Sequence, residues 1–504
     1  MTSPTALAPA PSATAEPWPG LWALVIGFFM ILVDATIVNV ANPAIMKGLN
    51  LGSDYNAVIW VTSAYLLCYA VPMLVTGRLG DRFGPKRIYL IGLTLFTVAS
   101  LWCGFSGWLP GGGIGMLITA RAFQGLGASM MSPQTMALIT RMFPPDRRGA
   151  AMGVWGSVAG IATLIGPLLG GVLVDALGWE WIFFVNVPIG LAAFAAAWKY
   201  VPKFPTHPHR FDLLGVALST FGLFFLVFGI QEGETYHWGS IWGPISVPLL
   251  IISGIVLLTA FVWWQARTKG EPLVPLSLFN DRNFALSNAA IASVGLAIAS
   301  FSLPLVFFFQ TVRGLTPTQS ALMLAPSAIL SMILAPLIGR LIDRVNPRDV
   351  AIFGLVAWIA GMLWYVQVIN TTTPILWLLG PSFVMGFGSA CVWGPLSTTA
   401  TRNLPPHYAG AGAGVYNTTR QVGSVLGSAG MSALLQLRLA ADLPAGVAVP
   451  AQAGGSVPSA LRDGFSRAMA ESILLPVAAL ACALLAVSYF QKPVRRKAAH
   501  KVNS

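Results

Sequence analysis

Charge is what this chain has least of. Of its 504 residues only 9% are Asp, Glu, Lys or Arg while 56% are hydrophobic, against about 25% charged in soluble domains, which excludes a soluble globular fold. Histidine is nearly as scarce. The five, His207, His209, His237, His407 and His500, all fall in expected loops or tails, which excludes a histidine proton relay between buried helices. Cys68, Cys103, Cys391 and Cys482 share no recognisable spacing, so they read as small apolar fillers and indicate neither a disulfide framework nor a metal site. Residues 1–20 hold no Lys or Arg, so the basic region of a cleavable signal is missing. Their Ala, Pro, Ser and Thr content predicts a disordered arm.

What the chain has is apolar runs, each near the roughly 20 residues that cross a bilayer core. Bounded by charges, Pro or Gly, they predict fourteen helices, near 21–44, 56–77, 87–107, 113–141, 149–176, 180–201, 212–231, 242–266, 284–310, 319–341, 348–369, 373–399, 409–437 and 468–491. With the N-terminus inside, 22 of the 29 Lys and Arg fall in inner segments, five in outer ones, and Arg121 and Arg420 within spans. That asymmetry predicts an even span count with both termini cytoplasmic. It also assigns the net charge of +12 to anionic lipid headgroups, with no nucleic acid required.

Two polar knots interrupt the apolar pattern, GRLGDRFGPKR at 77–87 and GRLIDRVNPRD at 339–349. Their offset of 262 residues puts both on the cytoplasmic side, after spans 2 and 10, and marks an internal duplication. Eight spans separate the copies, two more than fused six-helix halves would give. The expected domains are therefore the arm at 1–20, a six-helix bundle at 21–201, two inserted helices at 202–270, a second bundle at 271–491 with a long outer loop near 438–467, and a basic tail at 492–504. Within the knots Gly84 can take the positive φ that reverses the chain, and Asn346 tolerates the same conformation. Asp81 can sit at a neighbouring helix N-terminus or pair with a base across the cytoplasmic face.

Asp34 lies midway along its span. An ionised carboxylate there costs on the order of 3 kcal/mol even on the lenient insertion scale, so it is paired, protonated or lining water. Two roles stay open: a reversible proton carrier, or a structural carboxylate permanently paired with Arg121. Arg121 keeps its proton and heads a row of small residues, Gly125, Ala128 and Ser132, which permits close packing or leaves a cavity. Gln124 and Gln134 add polar groups. Gly156, Gly160, Gly166, Gly170 and Gly171 with Pro167 strip one face of the fifth span, for a hinge or seal, or for ordinary packing. Asn417 and Arg420 lie one turn apart, as cavity residues or as glue between helices.

GRLGDRFGPKR resembles motif A of the major facilitator superfamily, with Pro85 where a base is usual. The resemblance implies a cytoplasmic latch that stabilises the outward-facing state, formed by Gly77, Asp81, Arg82, Gly84, Lys86 and Arg87 and echoed by Gly339, Asp343 and Arg344. LITARAFQGLGA (117–128) resembles motif B, and ATLIGPLLGG (162–171) the antiporter motif C, with Ala162 for the first Gly and Gly166, Pro167, Gly170 and Gly171 in register. LVDATIVNVANPAI (32–45) and NTTRQVGSVLG (417–427) resemble the helix 1 and helix 13 signatures of the fourteen-span drug:proton antiporters of the EmrB/QacA type, with Asn42 where an apolar residue is common.

The likeness covers nearly the whole chain. It implies two six-helix halves plus two central helices in an all-α integral membrane protein of the cell membrane, exporting lipophilic small molecules against protons by alternating access. The proton would be the coupling ion, Asp34 and Arg121 the coupling pair, and Asn39, Asn42, Gln124, Ser132, Asn417 and Arg420 the substrate cavity. No cofactor or metal is implied, and a monomer is expected. A dedicated exporter of a metabolite or lipid would share every motif. Asp34 is the lone mid-membrane carboxylate against two mid-span arginines, so neutral, zwitterionic or anionic compounds are as plausible as cationic dyes. Neither a metal-ligand cluster nor a large loop supports an enzyme.

Overall fold

The computed structural model describes residues 17–51, 55–109, 112–144, 147–206, 212–233, 235–236, 238–268, 272–405, 408–442 and 458–491. Most of the expected arm, the middle of the outer loop, the basic tail and the side chain of Asn39 lie outside the described residues. The described part is helical apart from a two-stranded antiparallel hairpin, β1 (Ser240–Trp242) and β2 (Ile245–Ser246).

The first group of helices is α1 (Trp18–Gly48), α2 (Tyr55–Ala70), α3 (Met73–Phe83), α4 (Pro85–Phe105), α5 (Ile114–Met142), α6 (Arg148–Leu177), α7 (Trp181–Phe184) and α8 (Asn186–Tyr200). Then come α9 (Leu213–Gln231) and α10 (Val247–Arg267), joined by the hairpin. The second group is α11 (Arg282–Phe307), α12 (Pro317–Ile342), α13 (Pro347–Val368), α14 (Leu379–Thr401), α15 (Ala409–Asp442), α16 (Arg462–Ser472) and α17 (Leu474–Ser488).

Among the described residues ten helical stretches are long and apolar enough to cross a bilayer, and eleven when α2 and α3 count as one span bent by 45°. The bend falls beside Pro72, which caps α3 and cannot donate the amide that would carry α2 onward. The expected spans that fail the apolar criterion fall on α5, α6 and α15. In α5 and α15 the cause is visible: Arg121, Gln124, Gln134 and Asn417 are buried polar residues, turned into the protein where hydropathy no longer reports burial. Of α6 only Ile165–Leu177 reads as an apolar helix.

The packing pattern repeats between the two groups. Within the first group α1 lies on α6 and α8, while α5 lies on α2 and α4; within the second, α11 lies on α15 and α17, and α14 on α12 and α13. The groups meet where α12 crosses α6 and α15 crosses α3, so the helix carrying each polar knot abuts the other group. α9 and α10 pair with each other and lean on α2 and α15 through α9. Val71, Leu74, Leu223, Phe261, Phe284 and Val415 form an apolar cluster that ties this pair to both groups.

Candidate functional site

Asp34 is completely buried in α1, and its two oxygens accept from three side chains on two other helices. Arg121 Nη1 on α5 donates to Oδ2 at 2.5 Å. Gln124 Nε2, one turn along α5, donates to Oδ1 at 2.8 Å, and Asn186 Nδ2 at the start of α8 donates to the same oxygen at 2.9 Å. Ser100 on α4 closes the cluster. Its hydroxyl accepts from both Gln124 and Asn186, at 3.1 and 3.0 Å, and donates to the Phe183 carbonyl at 2.9 Å.

Arg121 is held at Nε and Nη1, while its Nη2 is buried without a hydrogen-bond partner. Nε donates to the Val61 carbonyl at 3.1 Å, Nη1 also reaches Gln124 Oε1 at 2.7 Å, and the guanidinium lies 4.1 Å from the Tyr65 ring centroid. Gly125 makes this geometry possible, because a Cβ there would collide with the Tyr65 carbonyl. The small-residue row on α5 is therefore a close-packing surface toward α2. Breaking such a buried pair by removing one partner costs about 3–5 kcal/mol, since the remaining charge is stranded.

Asn186, Ser100 and Tyr65 were not legible in the sequence as site residues. Asn186 had one local signal, an amide within the apolar run 181–195 two residues before Pro188. It sits where the expected sixth span breaks into α7 and α8.

Motif C touches the same region. Ala162 and Gly166 on α6 face Thr36, two residues beyond Asp34: Thr36 Oγ1 donates to the Ala162 carbonyl at 3.3 Å, and a Cβ on Gly166 would strike that hydroxyl. Pro167 and Gly170 continue within α6, and Gly171 faces open space. Small side chains here serve a helix contact two residues from the carboxylate, on a different face of α1.

The polar knots form two matching seams. Asp81, at the end of α3, accepts from the amides of Gly410 and Ala411 at the start of α15, at 2.9 and 2.8 Å, and from Arg141 at 2.9 Å. Asp343, just past α12, accepts from the amides of Gly149 and Ala150 at the start of α6, at 2.9 and 3.2 Å. Each carboxylate thus neutralises the N-terminus of a helix in the other group, where free amides and the helix dipole favour an anion. Gly77 and Gly339 let the backbones approach: a Cβ would come within 2.6 Å of the Gly410 carbonyl in one case and 2.7 Å of the Gly149 carbonyl in the other. Arg82 lies over the Phe83 ring, Lys86 donates to the Trp198 carbonyl, and Arg87 is exposed. Arg344 is exposed on the turn after Asp343. Gly84 takes φ +93° as expected. Asn346 does not; at φ −74° it caps α13, its side chain accepting from the Arg348 amide, because an amide side chain gains more as an N-cap than in a strained turn.

The remaining expected cavity residues are spread out. Ser132 accepts from Tyr69, whose ring stacks on Tyr65, so it connects to Arg121 through two aromatics. Asn417 is buried on α15, donating to the Ala413 carbonyl at 2.9 Å and lying 3.8 Å from Met136 Sδ across the boundary. Arg420 is half-buried beside it. Asn417 Oδ1, Arg420 Nη2, Tyr416 Oη and the hydroxyls of Thr398 and Thr399 are buried without a hydrogen-bond partner, as is Asn42 Oδ1 on α1. A separate cavity of about 290 Å³ lies between α2, α9, α11 and α15, with Gln231, Gln421, Gln436 and three serines among apolar residues.

Residues 24–428 match the model of the Major Facilitator Superfamily. An uncharacterized MFS-type transporter of Mycobacterium tuberculosis is 52% identical over 92% of this chain and 79% of its own length. The multidrug export protein EmrB of Escherichia coli is 30% identical, over 81% and 78% respectively. Among solved structures, the human organic anion transporter MFSD10 superposes with a TM-score of 0.63 over 93% of this chain and 100% of its own, at 14% identity, which speaks for the fold. The chain is therefore a multi-pass membrane transporter, not an enzyme, and belongs to the major facilitator superfamily within its EmrB-type drug:proton antiporter family.

Proposed function

We propose that this chain is a proton-coupled exporter of lipophilic small molecules, built of fourteen spans with both termini cytoplasmic and working by alternating access. The observation that carries the reading is the sealed cluster around Asp34: a membrane-buried carboxylate bonded by Arg121, Gln124 and Asn186, two residues from the contact between α1 and the glycine-rich face of α6. In this conformation both Asp81 and Asp343 are engaged, so the seam between the two groups is shut.

In the cycle we propose, a proton arriving from outside neutralises Asp34. That releases Arg121 and loosens the α1 to α6 contact, while the seams part to open the inward side. Substrate entering from the cytoplasm or inner leaflet displaces the proton, Asp34 pairs again with Arg121, and the seams close behind it. Each ligand moves the equilibrium only by its differential affinity for the two states, and Asp34 carries the proton's share.

The substrate would meet the buried, unpartnered polar atoms of α14 and α15, Asn417 and Arg420 among them. A buried polar atom without a partner is expensive, and a ligand or water in the opened state would satisfy it. We assign α1–α8 and α11–α17 to the two six-helix halves and α9–α10 to the inserted pair. The test is transport in energised inverted vesicles across a panel of cationic, neutral and anionic lipophiles, with internal pH followed in parallel. Proton release coupled to uptake of some members supports the reading. Uptake that survives collapse of the proton gradient opposes it. A dedicated exporter of one endogenous compound would move a single member.

A further inference from the structure

We infer that a groove between α4 and α8 is a binding site for an anionic phospholipid, with the phosphate held by Lys86 and Lys203 and an acyl chain laid along α4. The groove encloses about 920 Å³, several times the volume of the cavity between α2 and α15. Its mouth carries Lys86, Arg87 and Lys203, and none of the described residues lining it is acidic. Lys203 sets its like charge against Lys86. Lys86 leans over the Trp198 indole and donates to the Trp198 carbonyl at 2.7 Å, a neutral acceptor that leaves its charge uncompensated.

The rest of the wall is apolar. Leu90, Ile91, Leu95, Val98 and Phe194 continue inward from the mouth, and Ile91, Val98 and Trp198 are 46, 59 and 64% exposed, facing outward from the bundle on the spans Pro85–Phe105 and Trp181–Tyr200. The cations therefore sit where both spans end, at headgroup depth. The twelve residue steps from Lys86 to Val98 cover about 18 Å at 1.5 Å per residue, against about 15 Å for half a hydrocarbon core. A soluble phosphate would use the mouth and leave the channel empty; an uncharged lipid would fill the channel and leave the cations unmatched. An anionic phospholipid satisfies both.

Native mass spectrometry on the delipidated full chain tests the site, with dioleoylphosphatidylglycerol, dioleoylphosphatidylcholine and inorganic phosphate as probes. The wild type is expected to retain one phosphatidylglycerol in preference to phosphatidylcholine, undisturbed by excess phosphate. The double substitution Lys86→Gln with Lys203→Gln should lower retention several-fold. Leu95→Trp, which fills the channel with the charges intact, should do the same, so the outcome does not rest on the lysine variant folding well. Arg267→Gln, removing one charge elsewhere, should leave retention unchanged. Equal retention of both lipids overturns the proposal, as do full competition by phosphate, persistence of phosphatidylglycerol in both groove variants, or an equal loss in Arg267→Gln.

Discussion

Neutralising the two seam carboxylates one at a time should open the seams by unequal amounts. Asp343→Asn keeps one acceptor oxygen but puts an amide NH₂ against one of the Gly149 and Ala150 amides it now satisfies. A hydrogen bond to a charged group contributes about 1.5–3 kcal/mol, and a stranded buried donor costs a comparable amount. A net loss of about 2 kcal/mol in the closed state shifts its population roughly 30-fold at 1.4 kcal/mol per decade. Asp81→Asn loses the equivalent pair at Gly410 and Ala411 and also strands Arg141, whose side chain is only 8% exposed, so its shift should be several-fold larger. The readout is double electron-electron resonance between spin labels replacing the exposed Phe83 and Val345, which end α3 and follow α12 in opposite halves. Both variants should populate a longer distance, Asp81→Asn more than Asp343→Asn, and the double variant should approach additivity because the seams share no partner. An unchanged distribution in both variants, or a larger shift from Asp343→Asn, would refute the latch reasoning.

Three further outcomes follow from the same geometry. Asn186→Ala removes one donor to Asp34 and one to Ser100; it should cost about 1–3 kcal/mol by denaturant titration and displace the pH profile of transport, a readout that a packing role alone would not move. Gly166→Leu should fill the contact with Thr36 and slow transport at least tenfold, with protein level and substrate binding retained, as followed by initial rates. Glu232, just beyond α9, is buried, and burial favours its neutral form, partly opposed by the Ser63 and Thr235 hydroxyls. A carboxyl whose folded pKa is raised lends stability below its unfolded pKa that is lost as pH rises through the folded value. Glu232→Gln should therefore raise the melting temperature at neutral and alkaline pH and leave it unchanged at acid pH, and a uniform change at all pH values would oppose this.

The sequence disclosed the repeated knots because they break an apolar background, and disclosed Asp34 and Arg121 because a mid-span charge is conspicuous. Their partners were hidden for the opposite reason. Ser100 and Tyr65 are ordinary residues of membrane helices, and only the approach of α2, α4 and α5, made possible by glycines such as Gly125, turns them toward the pair. Asn186 depends on a helix break that periodicity does not register. Asn346 shows a different failure: local tolerance of a positive φ did not decide its conformation, because capping α13 offered a stronger bond. Asn42, Asn417 and Arg420 were visible as polar residues in spans, yet a closed seam leaves several of their atoms unsatisfied, and what they meet in the open state depends on the other conformation of the cycle.

Asp34→Asn, compared with wild type for uphill efflux in energised vesicles at matched protein level, addresses the central claim most directly. The account predicts that the variant still binds substrate and still lets it run down its own gradient, but no longer concentrates it when a proton gradient is imposed. A variant that pumps uphill as the wild type does would remove Asp34 from the coupling mechanism and leave its pairing with Arg121 as architecture.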